Sequence, residues 1–117
     1  MKVAHVINSL NRGGAESHLL ELVKAQSTTG LITDVIVIGE DSSDILSIKL
    51  ELSNFCRKIY RLKGPRMFNI FSYIKLQKII RNNSYDVIHS HQPRSDFMVY
   101  LLKKYLFSDN LFKWIVS

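Results

Sequence analysis

The first structural unit predicted in the sequence is residues 2–23, KVAHVINSLNRGGAESHLLELV. Its first part, KVAHVIN, is short, apolar and rich in β-branched residues, which is typical of a strand buried on both faces. From Ala15 to Val23 the apolar residues recur at helical spacing, and Gly30 follows where a helix C-cap is expected. A buried strand that leads into a helix through two adjacent glycines predicts the first βα unit of an α/β domain.

The same alternation continues along the chain. Further strands are predicted at residues 33–40, 58–62, 85–92 and 112–117, with helices at 42–55, 67–83 and 95–107 between them. In the helix at 67–83, one broad apolar face is predicted to consist of Phe68, Phe71, Ile74, Ile79 and Ile80. This alternation predicts a Rossmann-like α/β fold, a doubly wound parallel sheet with strand order 3-2-1-4-5. In that order the first and fourth strands are neighbours, and a crevice opens at their carboxyl ends.

Composition indicates one globular domain, because the chain has 117 residues, of which 46% are hydrophobic and 22% charged. The N-terminus lacks the pattern of a signal peptide, and the longest apolar run, FMVYLL at 97–102, is far below the roughly 20 residues that span a bilayer. The single cysteine, Cys56, fits a reducing compartment, where it is read as a small buried residue. These features predict a cytoplasmic protein.

Charge is distributed unevenly, with a net charge of −3 over residues 1–54 and of +9 over residues 55–117. The densest basic segment contains Arg57, Lys58, Arg61, Lys63 and Arg66. Such a surface suits anionic lipid headgroups, which would place the protein peripherally on the inner face of the cell membrane. A solvated basic face with no partner is an equally good interpretation. No nucleic acid is expected as a partner, because no recognised nucleic-acid module is present.

Two polar segments are predicted to meet at the crevice: residues 8–16 after the first strand and residues 89–94 after the fourth. Gly13 and Gly14 would let a ligand approach the backbone, and the following helix N-terminus favours an anion such as phosphate. Neither G-x-G-x-x-G nor a P-loop is present, so nicotinamide cofactors and P-loop chemistry are disfavoured. For the glycines alone, a tight turn without a ligand remains the alternative.

The histidines of the fourth strand, His89 and His91, are two residues apart and therefore point to the same side. No metal site is expected, because no Cys, Asp or Glu joins them at ligand spacing except Asp86 on the opposite side. His91, nearer the rim, is the candidate for hydrogen bonding or proton acceptance in the crevice. His89 is interpreted as structural, and His5 and His18 as structural or exposed.

The segments KVAHVINSLNRGGAESHLLELVKAQ and YDVIHSHQPRSDF together resemble the start of the N-terminal, acceptor-side domain of a family 4 glycosyltransferase, of the GT-B fold. The resemblance covers essentially the whole chain. It implies a retaining transferase that moves a sugar from a nucleotide-sugar donor to an acceptor, often a lipid-linked or cell-envelope glycan. The nucleotide-sugar is then a substrate, and no separate cofactor is implied.

The resemblance also implies roles for individual residues, with no residue assigned as catalytic. Gly13 and Gly14 would line the donor phosphates, and the acceptor side would include His91, Arg94, Asn8 and Arg12. Residues 1–117 would be a partial N-terminal domain, incomplete at its C-terminus and without the C-terminal donor-binding domain. The chain alone would then be inactive unless another polypeptide supplied that domain in trans. A non-catalytic remnant that binds a membrane or a partner is the main alternative, and a self-contained nucleotide-binding protein is a further one.

Overall fold

A computed structural model describes residues 1–8, 14–39, 46–62, 70–105 and 112–116. Nine elements alternate along these residues: β1 (Lys2–Ile7), α1 (Gly14–Ser27), β2 (Ile32–Val37), α2 (Leu46–Ser53), β3 (Lys58–Arg61), α3 (Ile70–Asn83), β4 (Val87–His91), α4 (Pro93–Tyr105) and β5 (Lys113–Val116). None of these helices has the length and apolarity needed to cross a membrane. Some predicted residues lie outside the described ranges: Arg12, Gly13, Lys63, Arg66 and Phe68.

The five strands form one parallel sheet in the order β3-β2-β1-β4-β5. The predicted Rossmann-like fold and the strand order 3-2-1-4-5 are therefore confirmed. Direct pairing of β1 with β4 places His5 opposite His89 and Ile7 opposite His91. Residues that are more than 80 positions apart in sequence thus become neighbours at the carboxyl edge of the sheet.

The core lies on both faces of the sheet, and every residue from Val3 to Ile7 in β1 is buried. One cluster, in which α1 and α2 cover the sheet, contains Ile7, Leu19, Val23, Val35, Val37 and Leu52. The other includes Ala4, Val6, Ile36, Ile38, Leu76, Ile80, Ile88, Met98, Val99 and Leu102, with residues of α3 and α4. Because helices cover both faces, the central strands consist of nearly continuous apolar residues, without the alternation of apolar and polar residues seen in half-exposed strands.

The predicted apolar face of α3 is wrong in part. Phe71 and Ile74 are 70% and 40% exposed, whereas the buried stripe runs through Ser72, Leu76 and Ile80. These three positions are separated by four residues each, so they lie one above the other on one side of the helix. Apolar residues occupy more of the circumference of α3 than the sheet covers, and the surplus faces outward.

Helix α4 begins at Pro93, two residues before the predicted start. Proline suits the first helical position, where its missing N–H would have no intrahelical partner. Gln92 precedes it with a φ of 77°, and the Gln92 carbonyl accepts a hydrogen bond of 3.0 Å from the N–H of Asp96. The strand β4 therefore passes directly into a helix at the edge where the crevice was predicted.

Near the amino end of the sheet, the buried carboxylate of Asp34 joins three parts of the fold. It accepts hydrogen bonds from Arg57 Nε at 3.0 Å, from Arg57 Nη2 at 2.5 Å and from the Tyr85 hydroxyl at 2.5 Å. Burial and this hydrogen bond raise the pKa of Tyr85 well above its usual value, so the hydroxyl stays protonated and donates. Arg57, predicted to belong to a basic surface, is therefore part of an ion pair with a buried residue.

Candidate functional site

The crevice is defined by a hydrogen bond between the ends of the two central strands. The N–H of Asn8, just after β1, donates to Oε1 of Gln92, just after β4, over 3.0 Å. The two segments are separated by 84 residues in the chain. The structure therefore brings the predicted residue Asn8 next to the polar segment that follows β4.

Gly39, two residues beyond β2, packs directly against Asn8. Its N–H donates to the Asn8 carbonyl at 2.6 Å. A Cβ added to Gly39 would lie 2.4 Å from that backbone oxygen and 2.8 Å from Asn8 Oδ1, distances that real Cβ atoms essentially never show. A glycine is therefore required here. The sequence analysis did not single it out, although a glycine directly after a buried apolar run signals close backbone approach.

Gly14, the last residue of the glycine loop (residues 12–14), begins α1 at the same edge of the sheet. Gly14 is the first residue of α1, which follows β1, so the amino end of α1 lies at the carboxyl edge of the strands. Gly13 and Arg12 precede the described part of the helix. Arg94 lies in the first turn of α4, and its side chain is outside the described residues.

Beneath α1, three imidazole rings lie together; His5, His89 and His91 are called the histidine cluster below. Nδ1 of His5 and Nε2 of His91 are 3.1 Å apart, and His89 stacks on His91 with ring centroids separated by 4.1 Å. One ring nitrogen of each residue lies within 4.8 Å of those of the other two. His18 of α1 is exposed, with its ring 6.3 Å from that of His91.

Burial keeps the histidine cluster neutral. Burial lowers the pKa of His5 to about 4, and the hydrogen bond to Gln26 partly opposes this shift. Burial also lowers the pKa of His91 to about 3, and the neighbouring histidines lower it further. The pKa of His89 is lowered by burial and then by His18. At neutral pH each ring therefore carries one N–H and one lone pair.

The hydrogen bonds fix which nitrogen carries the proton. Nε2 of His5 lies 2.7 Å from Oε1 of Gln26, and an amide oxygen only accepts, so this nitrogen of His5 is the donor. Nδ1 of His5 then holds a lone pair and accepts from the Nε2–H of His91. The cluster is a chain of hydrogen bonds that runs from His91 through His5 to Gln26.

The position of His91 differs from the expected one at the rim. Its side chain is 1% exposed and bonded to His5, and its low pKa makes it a weak base. His5, interpreted from the sequence as structural or exposed, supplies the third ring. Strand order brings β1 next to β4, and the register of that pairing, which the sequence does not show, places His5 on the same face as His89 and His91.

On the opposite face of β4, a second polar chain holds the start of α4. The indole N–H of Trp114 in β5 donates to Ser90 Oγ at 2.8 Å, and Ser90 Oγ donates to Asp96 Oδ1 at 2.5 Å. Ser90 is fully buried. This chain ties β5, β4 and the first turn of α4 together directly below the crevice.

The described part of the basic surface lies between β3 and α3. A cavity of about 290 Å³ is lined by Tyr60, Arg61, Leu62, Lys75, Lys78 and Ile79. The ammonium group of Lys58 lies 4.6 Å from the centroid of the Tyr60 ring, a cation–π contact. This surface is on the far side of the sheet from the histidine cluster.

Comparison with known proteins gives the chain its family. The family model described as Glycosyltransferase Family 4 matches residues 12–108, from the glycine loop to the end of α4. Among curated protein sequences, none matches the chain significantly. The matched region contains the first segment of the resemblance from Arg12 onward, RGGAESHLLELVKAQ, and the whole of the second, YDVIHSHQPRSDF. The chain therefore belongs to glycosyltransferase family 4, and its function is of the sugar-transferring type.

Proposed function

We propose that the chain is the acceptor-side part of a retaining glycosyltransferase, which transfers a sugar from a nucleotide-sugar donor to a lipid-linked or cell-envelope glycan. The observation that carries the proposal is the crevice at the switch point. There the backbone of Asn8 is bonded both to Gln92 and to Gly39, so three strand ends are held together. Ligands of open α/β sheets bind at this place in the fold.

The donor phosphates are assigned to the glycine loop. Gly13 and Gly14 present no Cβ, and the first N–H groups of α1 point outward from its amino end, where the helix dipole favours an anion. A pyrophosphate needs this combination of open backbone and positive potential.

The acceptor is assigned to Asn8, Arg12 and Arg94, which belong to the segments that follow β1 and β4. The side-chain amide of Asn8 would donate to or accept from sugar hydroxyls, and Arg94 would pair with an anionic group such as a lipid phosphate. His91 is buried, so its role is to fix the end of β4 through His5. The residues that bind the nucleotide are assigned to a separate donor-binding domain.

Complementation tests the proposal. The chain is mixed with a separately produced donor-binding domain of a family 4 glycosyltransferase, radiolabelled UDP- and GDP-sugars and a lipid-linked acceptor extract. Transfer of label is expected only when both polypeptides are present, and NMR of the product should show a retained anomeric configuration. Absence of transfer with every donor would count against the proposed reaction, and an inverted product against the retaining mechanism.

Glycine variants test the donor assignment in the same assay. Gly13→Val and Gly14→Val are expected to abolish transfer, because the added side chains would occupy the space proposed for phosphate. Gly30→Asn is the matched control, since Gly30 has a φ of 80°, which asparagine tolerates, and lies near the amino end of β2, away from the crevice. Full activity in the Gly14→Val variant would remove the glycine loop from the site.

A second candidate function, membrane docking without catalysis, is favoured by the outward face of α3. Phe71 and Ile74 are exposed there beside Lys75 and Lys78, a combination suited to an anionic lipid surface. Sedimentation with anionic and with neutral vesicles tests it. Binding to anionic vesicles alone is expected, with loss in Phe71→Ser and no change in the control Phe97→Ser on α4. Equal binding to neutral vesicles would contradict an electrostatic mechanism.

A further inference from the structure

We infer that His5, His89 and His91 form a binding site for a transition-metal ion of the zinc class. Three imidazole nitrogens would hold the ion beneath α1. The site joins β1 to β4, and it is independent of the proposed sugar transfer. Among the described residues, this is where His, Cys, Asp or Glu side chains converge closely enough to hold an ion.

The distances suit such an ion. Zn–N bonds of about 2.0–2.1 Å in a tetrahedral site place two ligand nitrogens about 3.4 Å apart. Nδ1 of His5 and Nε2 of His91 are already 3.1 Å apart. No separation among the three ligand nitrogens exceeds 4.8 Å, so the site closes through a displacement of about 1.4 Å. His89 is half-buried, whereas the other two rings are fully packed, so its ring is expected to move.

Gln26 supplies the outer contact that a metal-bound histidine needs. Histidine ligands usually donate their second ring N–H to a carbonyl or carboxylate, which fixes the ring and its tautomer. Nε2 of His5 donates in this way to Oε1 of Gln26 at 2.7 Å. The lone pair of Nδ1 is thereby directed into the histidine cluster.

The donor set selects the kind of ion. Imidazole nitrogens suit Zn²⁺, Co²⁺, Ni²⁺ and Cu²⁺, whereas Mg²⁺ and Ca²⁺ require oxygen ligands. Binding changes one tautomer: the proton on Nε2 of His91 moves to Nδ1, so that Nε2 offers its lone pair to the ion. The ring stays neutral, and no proton is released from His5, whose N–H remains on Gln26.

Metal titration tests the inference directly. The purified chain is stripped with EDTA, dialysed, and titrated with ZnCl₂, CoCl₂ and MgCl₂ by calorimetry, with absorption spectra recorded for Co²⁺. One Zn²⁺ per chain is expected, with Co²⁺ bands typical of nitrogen ligation and no binding of Mg²⁺. At free Zn²⁺ of 100 times its Kd, the unfolding constant should fall about 100-fold. Absence of saturable binding of Zn²⁺ would overturn the inference.

Variants locate the ion. His89→Gln should weaken Zn²⁺ binding at least tenfold, and Gln26→Leu should weaken it 10–100-fold because the outer contact is lost. His18→Gln is the matched control, since this exposed histidine is outside the cluster and should leave the Kd unchanged. Strong binding that depends on His18 but not on His89 would overturn the assignment to these residues.

A measurement on the unmodified chain decides the question if His89→Gln does not fold. In ¹⁵N-edited NMR spectra, Zn²⁺ should remove the Nε2–H signal of His91 and produce an Nδ1–H signal. The Nε2–H signal of His5 should persist. Zn²⁺ binding that leaves both rings in their original tautomers would place the ion elsewhere and refute the inference.

Discussion

Acidification is expected to destabilise the fold through His5 and His91. Both rings are buried, and their pKa values, about 4 and about 3, lie below the ordinary value of 6.5. The unfolded chain therefore binds more protons than the folded one between these values and 6.5. Stability from the neutral rings is fully present above pH 6.5 and is lost as pH falls toward the folded pKa values.

The size of the effect follows from the linkage relation. Each additional proton bound by the unfolded state changes the free energy of unfolding by about 1.4 kcal/mol per pH unit. Two histidines give a slope that approaches about 2.7 kcal/mol per unit near pH 5. From pH 7 to pH 5 the expected loss is about 4 kcal/mol, a large share of the 5–15 kcal/mol typical of a domain.

Neighbouring titratable groups also affect the protonation of His5 and His91. His89 on β4 and His18 on α1 oppose protonation of the pair, whereas Asp96 on α4 acts on His89 in the opposite direction. Among the described residues, no carboxylate contributes to the pKa shifts of His5 and His91. Protonation of either ring would create a buried positive charge that none of the described carboxylates offsets.

Urea unfolding followed by circular dichroism, at pH 7, 6 and 5 with EDTA present, measures the effect. His91→Gln should lose about 2 kcal/mol less than the unmodified chain between pH 7 and pH 5, because one of the two protons is removed. His18→Gln should stay close to the unmodified chain, because His18 is exposed and is the smallest of the named causes that lower the pKa values of His5 and His91. Carboxylates titrate alike in all three proteins and cancel in the comparison.

One result would refute the reasoning. If the His91→Gln variant and the unmodified chain lost the same free energy of unfolding on acidification, His91 would not be held neutral in the folded state. The chain of hydrogen bonds from His91 to Gln26 would then be wrong. A slope reduced by half in His91→Gln and nearly unchanged in His18→Gln is the expected signature.

Three further predictions concern other parts of the fold. Gly39→Ala should destabilise by about 1–3 kcal/mol in urea unfolding, because its methyl group would overlap the Asn8 carbonyl; unchanged stability would contradict the close approach. Tyr85→Phe should cost about 1.5–3 kcal/mol by thermal unfolding, since Asp34 loses a charge-assisted hydrogen bond; a neutral effect would mean that water replaces the hydroxyl. Burial raises the pKa of the Cys56 thiol to about 11, so iodoacetamide at pH 8 should react with Cys56 about 100 times more slowly than with an ordinary thiol. In urea, where the chain is unfolded, Cys56 should react at the ordinary rate.

The fold was predictable from the sequence because the spacing of apolar residues and the positions of glycine and proline indicate the same strands and helices along the chain. Strands such as VAHVI are short and buried on both faces, and Gly30 and Pro93 mark helix ends, so the alternation of strands and helices fixes the order 3-2-1-4-5. The orientation of α3 was not predictable to the same degree. Its sequence offers more apolar positions than one stripe requires, and only contact with the sheet selects Leu76 and Ile80 over Phe71.

The candidate site was predictable where the polar segments follow strand ends, and not where the contacts depend on register. Asn8 and Gln92 meet because β1 and β4 are adjacent, which strand order alone implies. The glycine after the apolar run signals a close backbone approach at Gly39, but its partner Asn8 depends on the register of β2 beside β1, which no local pattern encodes. Arg57 appeared to be a surface cation because its partner Asp34 lies 23 residues earlier, inside an apolar strand.

Pairing between β1 and β4 explains why the histidines must be considered together. Taken along its own strand, His5 has no polar neighbour, and His89 with His91 lacks the third ligand that a metal site needs. Register joins them: His5 lies opposite His89, and its ring bonds to His91. A buried polar ring is tolerated only when its nitrogens are satisfied, so His5 depends on both His91 and Gln26. Loss of His5 or His91 therefore leaves an unsatisfied ring nitrogen between β1 and β4, so the stability of this edge of the sheet depends on both rings.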